Sequence, residues 1–251
     1  MLLLAGISEV LLISTPEDTP SYQRLLGDGA RIGIRIEYAV QETPRGLADA
    51  FILGETFIGD DSVCLVLGDN VFYGQYFSEL LENAKTSIAQ GGAAVFGYPV
   101  ANPSEFGIVE FDAQSRVISI EEKPKHPKSQ YAVPGLYFYD NDVVKIAKSI
   151  KPSARGEIEI TSINDHYLQQ NRLYVKLMGR GLAWLDTGSA DRMLKASEFV
   201  RSVQEMQGFY ISCIEEIAWR KGLISTAQLA SLGEELSMTD YGKYLLTLVE
   251  G

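Results

Sequence analysis

Cysteine and histidine are scarce, with two of each in 251 residues. Cys64 and Cys213 have neither metal-ligand spacing nor a secreted context, so both are expected to be buried thiols rather than nucleophiles. His126 and His166 have no acid or serine arranged around them, and Ser153 and Thr161 lack a neighbouring base, which disfavours serine-type covalent catalysis. No apolar run approaches the ~20 residues that a membrane helix needs. Met1-Leu2-Leu3-Leu4-Ala5 lacks a basic flank and soon meets Glu9, unlike a secretion signal, so a cytoplasmic location is expected. Basic residues are also few. Lys and Arg total 22 against 33 Asp and Glu, a net charge of −11, which argues against a nucleic-acid or membrane surface. The one dense basic run is Lys123-Pro124-Lys125-His126-Pro127-Lys128, which by itself reads as a solvated loop.

What is present suits a globular chain. It is 46% hydrophobic and 22% charged, enough for one large core or a core with a small appendage. Short β-rich runs at Val10–Ser14, Ile34–Val40, Val63–Leu67 and Ala93–Tyr98 alternate with helical patterns at Tyr22–Leu26, Leu47–Phe57 and Phe77–Gln90. That alternation predicts an α/β fold with a mixed, mostly parallel sheet flanked by helices. Val63–Leu67 is apolar on both faces and reads as a central strand.

From Phe106 the pattern turns to a hairpin, Gly107–Asp112 with Val117–Glu122, then an apolar strand at Val133–Tyr139, as in a smaller second lobe. Helices are expected at Asp142–Ser149 and, after the Pro152–Gly156 turn, at Glu157–Gln170, with strands at Leu173–Met178 and Ala183–Leu185. From Ala190 the chain reads as helical, broken at Gly208 with turns near Gly222 and Gly233. Met1–Gly6 resembles the last turn of a helix feeding the first strand, with no glycine-rich phosphate loop before it.

Several polar residues sit where such sheets bind ligands. Asp69, in Leu67-Gly68-Asp69-Asn70, follows the apolar strand, where one or two carboxylates can hold magnesium; as a lone acid it reads equally well as a turn cap. Asp186, in Trp184-Leu185-Asp186-Thr187-Gly188, repeats the arrangement. Glu122 and Lys123 close the hairpin before Pro124: Lys123 offers a point charge to a phosphate and Glu122 accepts from sugar hydroxyls, against the plain alternative of a surface ion pair. Gln41 ends a strand and Gly46 starts a helix; an amide can pair with a base edge or simply be a polar loop residue.

Together, Tyr38-Ala39-Val40-Gln41, Leu67–Asn70 with Phe72-Tyr73-Gly74, Phe106–Phe111, Glu121–Pro124, Gly135–Asp140, Arg155–Thr161 and Trp184–Gly188 closely resemble the glucose-1-phosphate thymidylyltransferase family of sugar nucleotidylyltransferases. The resemblance runs along essentially the whole chain. It implies a nucleotide-diphospho-sugar transferase type of fold and Mg2+-dependent transfer of deoxythymidylyl from dTTP to glucose 1-phosphate, giving dTDP-glucose and pyrophosphate for dTDP-rhamnose and polysaccharide synthesis. By the same resemblance Asp69 and Asp186 hold the metal, Lys123 binds the sugar phosphate, and Glu122, Gly107 and Val133 contact glucose. Gln41 and Gly46 read thymine, and Tyr137 and Trp184 complete the substrate set. A second, regulatory site for a feedback nucleotide sugar such as dTDP-rhamnose would use Tyr73, Gly74, Arg180, Ser212, Glu216 and Ile217, in a homotetramer. The implied domains are a core over 1–208, with a sugar lobe at roughly 103–185, and a helical segment over 209–251 for regulation and oligomer contacts.

Phe106 stands where many relatives have tyrosine, and Pro134 where threonine is usual; both are expected to be tolerated because the family's contacts there run through backbone. Relatives begin with a strand, a Gly-Gly-x-Gly-Thr-Arg loop and a lysine that this sequence does not show, so the core is expected to be incomplete and turnover severely reduced, each lost phosphate contact costing ~10²–10³ in rate. Competing expectations are a sister uridylyl-, adenylyl- or cytidylyltransferase, an inactive ligand-binding remnant arising from a wrong start codon, and a glycosyltransferase, which the lack of a second acid two positions after Asp69 disfavours.

Overall fold

The computed structural model describes residues 1–153 and 156–250. Ala154 and Arg155, in the expected Pro152–Gly156 turn and at the head of the Arg155–Thr161 motif, lie outside the described residues, as does Gly251. By packing the chain forms two units, one of Met1–Val40 with Asp186–Gly251 and one of Gln41–Leu185.

The first unit opens on a helical turn, Ala5 N–H bonding Met1 O at 3.2 Å, with Leu3 and Ala5 buried. β1 (Glu9–Ser14) pairs in parallel with β2 (Arg35–Val40), and the register sets Glu9 beside Arg35, an ion pair of 2.7 Å. Between them α1 (Thr19–Leu26) starts three residues before the expected Tyr22, because Pro20 is tolerated in a first turn and Thr15 accepts the Asp18 N–H at 3.1 Å.

In the second unit the helix expected at Leu47–Phe57 is two short ones, α2 (Asp49–Leu53) and α3 (Glu55–Ile58), divided at Gly54, where glycine weakens helix continuity. β3 (Val63–Val66) and β4 (Asn70–Gly74) flank the Leu67–Asp69 turn, and α4 (Phe77–Ile88) leads into β5 (Ala93–Pro99). The hairpin is β6 (Gly107–Phe111) and β7 (Val117–Glu122). The strand expected over Val133–Tyr139 is split into β8 (Tyr131–Ala132) and β9 (Leu136–Tyr139). Pro134 has no N–H to give, and the Val133 N–H is spent on Gly107 O at 2.8 Å.

α5 (Asp142–Ser149) and α6 (Ile160–Gln169) follow. α6 begins later than the expected Glu157, because Ile158 lies alongside the Arg45–Ala48 loop, giving its N–H to Arg45 O at 2.7 Å and accepting the Ala48 N–H at 3.2 Å. β10 (Leu173–Leu177) completes a seven-stranded sheet of order β3-β9-β5-β8-β6-β7 with β10 on β5, while β11 (Leu182–Asp186) pairs with β4.

The sheet is mixed, as expected. β3, β5 and β10 run one way and β9 threads antiparallel between β3 and β5, so fewer neighbouring pairs are parallel than the alternation suggested. The central strand is also different. Val63–Val66 is half-buried at one end of the described order, whereas Ala93–Phe96 of β5 is fully buried. An apolar run reports which faces are covered and carries no information about how many edges are paired. The core of this unit gathers Phe51, Val95, Val109, Tyr137, Tyr139, Ile163 and Tyr167.

The chain then returns to the first unit. α7 (Ala190–Gln207) is capped by Ser189, whose hydroxyl accepts the Arg192 N–H at 3.3 Å, and breaks at Gly208 as expected. α8 (Ile214–Arg220), α9 (Thr226–Glu235) and α10 (Asp240–Glu250) close around Cys213, Ala218, Leu229, Leu232 and Leu245. The turn expected near Gly233 comes after Glu235 instead, because the Ser225–Gln228 capping box carries α9 through a Gly233 that packs on Leu246. No helix among the described residues is long and apolar enough to cross a membrane.

Candidate active site

Asp69 sits in the turn after β3 and accepts from the Asn70 amide at 2.6 Å. Asn70 is a hub that sequence reasoning missed. Its Oδ1 accepts from Gly135 N at 3.1 Å and from the Trp184 indole at 2.6 Å, so the turn, the loop before β9 and β11 are tied to one side chain. No spacing rule could link Asn70 to a tryptophan 114 residues away. Gly135 is needed for this closeness: a Cβ there would lie 2.5 Å from Leu67 Cγ. The Trp184 ring also packs edge-on against Phe106, centroids 5.2 Å apart, and Tyr98, at 5.6 Å.

The residues expected on the sugar side converge. β6 and β7 place Gly107 opposite Glu122, and a Cβ on Gly107 would approach Glu122 Oε2 to 3.2 Å. The Thr161 hydroxyl, without a base for nucleophilic work, donates to that same oxygen at 2.7 Å. Tyr137 is buried beneath, its phenol raised first by burial and then by the Glu122 charge. Lys123 is exposed, held at φ 41, with its N–H bonded to Phe106 O at 3.0 Å. Phe106 O thus accepts the Lys123 N–H, and Val133 gives its own N–H to Gly107 O.

Of the residues expected at the base, Gln41 donates from Nε2 to Asp49 Oδ2 at 2.9 Å. Gly46 has φ 98, and a Cβ would fall 2.5 Å from Ile158 O. Strain and a backbone clash coincide there, so Gly46→Ala is expected to destabilise the chain by about 1–3 kcal/mol in urea titration and to weaken nucleotide binding. Unchanged values in both would show that the loop can open.

Asp186 ends β11 and belongs to the first unit. Its Oδ1 accepts from Gly188 N at 2.7 Å and its Oδ2 from Arg192 Nη1 at 2.5 Å. Of the residues expected to be regulatory, Tyr73, Gly74 and Arg180 fall in the second unit, Gly74 lying so near Gly181 that a Cβ would sit 2.6 Å from its carbonyl oxygen. Ser212, Glu216 and Ile217 fall in the first unit, where Glu216 accepts from Arg220 at 2.7 Å and from the Tyr244 hydroxyl at 2.5 Å. Both cysteines are unpaired; Cys213 is buried as expected, whereas Cys64, on the half-covered β3, is only partly so. Burial pushes the Cys64 thiol up to about 12 and raises that of Cys213, so neither is an activated nucleophile.

No group of three or more His, Cys, Asp or Glu side chains that could hold a metal ion gathers among the described residues. A magnesium ion needs less than that. It favours one or two carboxylates with phosphate oxygens and water, so the donor chemistry of Asp69 and Asp186, hard oxygens following strands, fits it.

Residues 1–203 match the nucleotidyl transferase family. A glucose-1-phosphate thymidylyltransferase of Neisseria meningitidis serogroup A is 54% identical over 250 residues, covering 100% of this chain and 86% of the relative. One from Mycobacterium tuberculosis is 53% identical over 249 residues, covering 99% and 85%. A crystal structure described as a Bacillus anthracis glucose-1-phosphate thymidylyltransferase, in complex with a sucrose, superposes with a TM-score of 0.73 at 36% identity over 80% of this chain and 79% of that one. A UDP-glucose pyrophosphorylase, at 21% identity and a TM-score of 0.67, shares the fold. The chain belongs to the nucleotidyl transferase family and, within it, to the glucose-1-phosphate thymidylyltransferases.

Proposed function

We propose that this chain transfers a deoxythymidylyl group from dTTP to glucose 1-phosphate. A phosphate oxygen of the sugar attacks the α-phosphorus of dTTP while the bond to the β-phosphate oxygen breaks, leaving dTDP-glucose and pyrophosphate. The names of relatives near 50% identity support the reaction. The observation that carries it is the hairpin end, where Gly107, Glu122, Lys123 and Val133 are brought together by β6, β7 and the loop before β9.

In this reading Lys123, its backbone fixed by Phe106 O, neutralises the sugar phosphate. Glu122, oriented by Thr161, accepts from glucose hydroxyls above the packed Gly107, and Tyr137 and Trp184 wall the pocket. Gln41 and Gly46 face the base. Asp69 and Asp186 would hold magnesium, which when bound offsets phosphate charge during the transfer. No side chain need become covalently attached, since positioning and charge neutralisation suffice. Both substrates are phosphorylated metabolites, which goes with a cytoplasmic location. Feedback by dTDP-rhamnose through the regulatory set, tetramer formation, and the division into a 1–208 core and a 209–251 regulatory segment belong to the same proposal.

Calorimetric titration with glucose 1-phosphate tests it. A charge-assisted contact is worth about 1.5–3 kcal/mol, so Lys123→Gln is expected to raise the Kd roughly 10- to 100-fold without altering the melting temperature. An unaltered Kd would remove Lys123 from the sugar site. Pyrophosphate release from dTTP and glucose 1-phosphate, measured beside the Neisseria meningitidis relative, checks the reaction.

A further inference from the structure

Asp49 opens α2, is 1% exposed, and has no part in the reaction as drawn above. Its Oδ2 accepts from Gln41 Nε2 at 2.9 Å, while its Oδ1 makes no hydrogen bond among the described residues and has Arg45 Nη1, on a largely exposed side chain, at 3.5 Å. A buried carboxylate with one oxygen unsatisfied is costly, and an amide or apolar residue would fill the same space more cheaply. What a carboxylate does that those residues cannot is accept at both oxygens while having no proton to donate. The Gln41 atom that faces it must therefore be Nε2 and never Oε1.

A glutamine amide left to itself turns over and offers donor and acceptor in either order. With one Nε2 proton committed to Asp49, Gln41 keeps Oε1 and the other proton side by side in a fixed order. Oε1 accepts from a ring N–H and the remaining proton goes to a ring carbonyl, which is the N3–H and C4=O edge of thymine or uracil. Cytosine presents an acceptor and a donor at those two positions, so both contacts become repulsive. The flip that would restore them sets Oε1 against Asp49, acceptor to acceptor.

We propose that Asp49 is a positioning residue that locks the Gln41 amide, and that this lock makes the base subsite select 4-oxo pyrimidines over cytosine. The inference rests on the reading of Gln41 as the base-contacting residue, and the test separates the two. Equilibrium binding of dTTP, dUTP and dCTP, each with magnesium, is measured for the wild type, Asp49→Asn, Asp49→Ala and Gln41→Ala, with a melting curve for each. A correctly ordered bidentate edge discriminates by about 10- to 100-fold, so the wild type is expected to bind dTTP and dUTP that much more tightly than dCTP. Asp49→Asn, which lets the amide face either way, and Asp49→Ala are expected to shrink the dTTP-to-dCTP ratio at least about tenfold, chiefly by improved dCTP binding. A merely structural role for Asp49 would lower the affinities together and leave the ratio. If either folded Asp49 variant keeps the wild-type ratio while Gln41→Ala abolishes it, the lock is overturned and Gln41 stands. If Gln41→Ala keeps the ratio, or the wild type binds dTTP no tighter than dCTP, both readings fall.

Discussion

Tyr139→Ala is expected to destabilise the Gln41–Leu185 unit by about 3–5 kcal/mol, the range for removing a large aromatic side chain from a packed core. Tyr139 is 0% exposed. Its ring meets Phe51 edge-on with centroids 5.2 Å apart, Tyr137 at 6.2 Å and Tyr167 at 5.7 Å. Its hydroxyl donates to Asn164 Oδ1 at 2.6 Å, and Asn164 is itself 1% exposed. Alanine would leave both a cavity and an orphaned amide oxygen. Tyr139→Phe separates these effects. It keeps the ring and loses only the hydrogen bond, so about 1–3 kcal/mol is expected, the cost of an unsatisfied buried acceptor. Urea titration followed by tryptophan fluorescence reads both, and near-equal losses would mean that the hydroxyl rather than the ring holds the cluster.

The second large effect belongs to Asp186→Asn. The substitution preserves shape and the contact with Gly188 N, but it removes the charge that faces Arg192 and the hard oxygen proposed for magnesium. Losing one electrostatic contact to the transferring group lowers turnover by ~10²–10³, and that fall is expected relative to the unmodified chain. Stability should hardly change. The Arg192 and Asp186 side chains are 37% and 21% exposed, and partly exposed ion pairs contribute up to about 1 kcal/mol. Raising magnesium should recover part of the rate if the residual site is merely weakened. A full rate at ordinary magnesium would take Asp186 out of the proposed metal site, and Asp69→Asn makes the same test of the other proposed ligand.

Much of the site was legible in order but not in connection. Asp69, Glu122, Lys123 and Gln41 each stood out because their residue type and place at a strand end suit phosphate, sugar or base chemistry. Their partners did not stand out. Thr161 had been set aside for want of a base, yet its hydroxyl is what orients Glu122. Asn70 reads only as the neighbour of Asp69, yet it joins Gly135 and Trp184. Nothing in its own window marks Asp49, because burial is not visible from sequence.

The sequence by itself determined the α/β class, the hairpin with its Glu122–Lys123 end, the long helix from Ala190 broken at Gly208, and the family, because these depend on local periodicity, turn chemistry and ordered motifs. Only the tertiary structure decided that β5 rather than β3 is the buried centre, that Met1–Val40 packs with the distant Asp186–Gly251, and that Asn70 and Asp49 hold the residues beside them. Pairing of strand edges and burial of polar groups depend on neighbours far away in the chain. A residue's own window carries no trace of them.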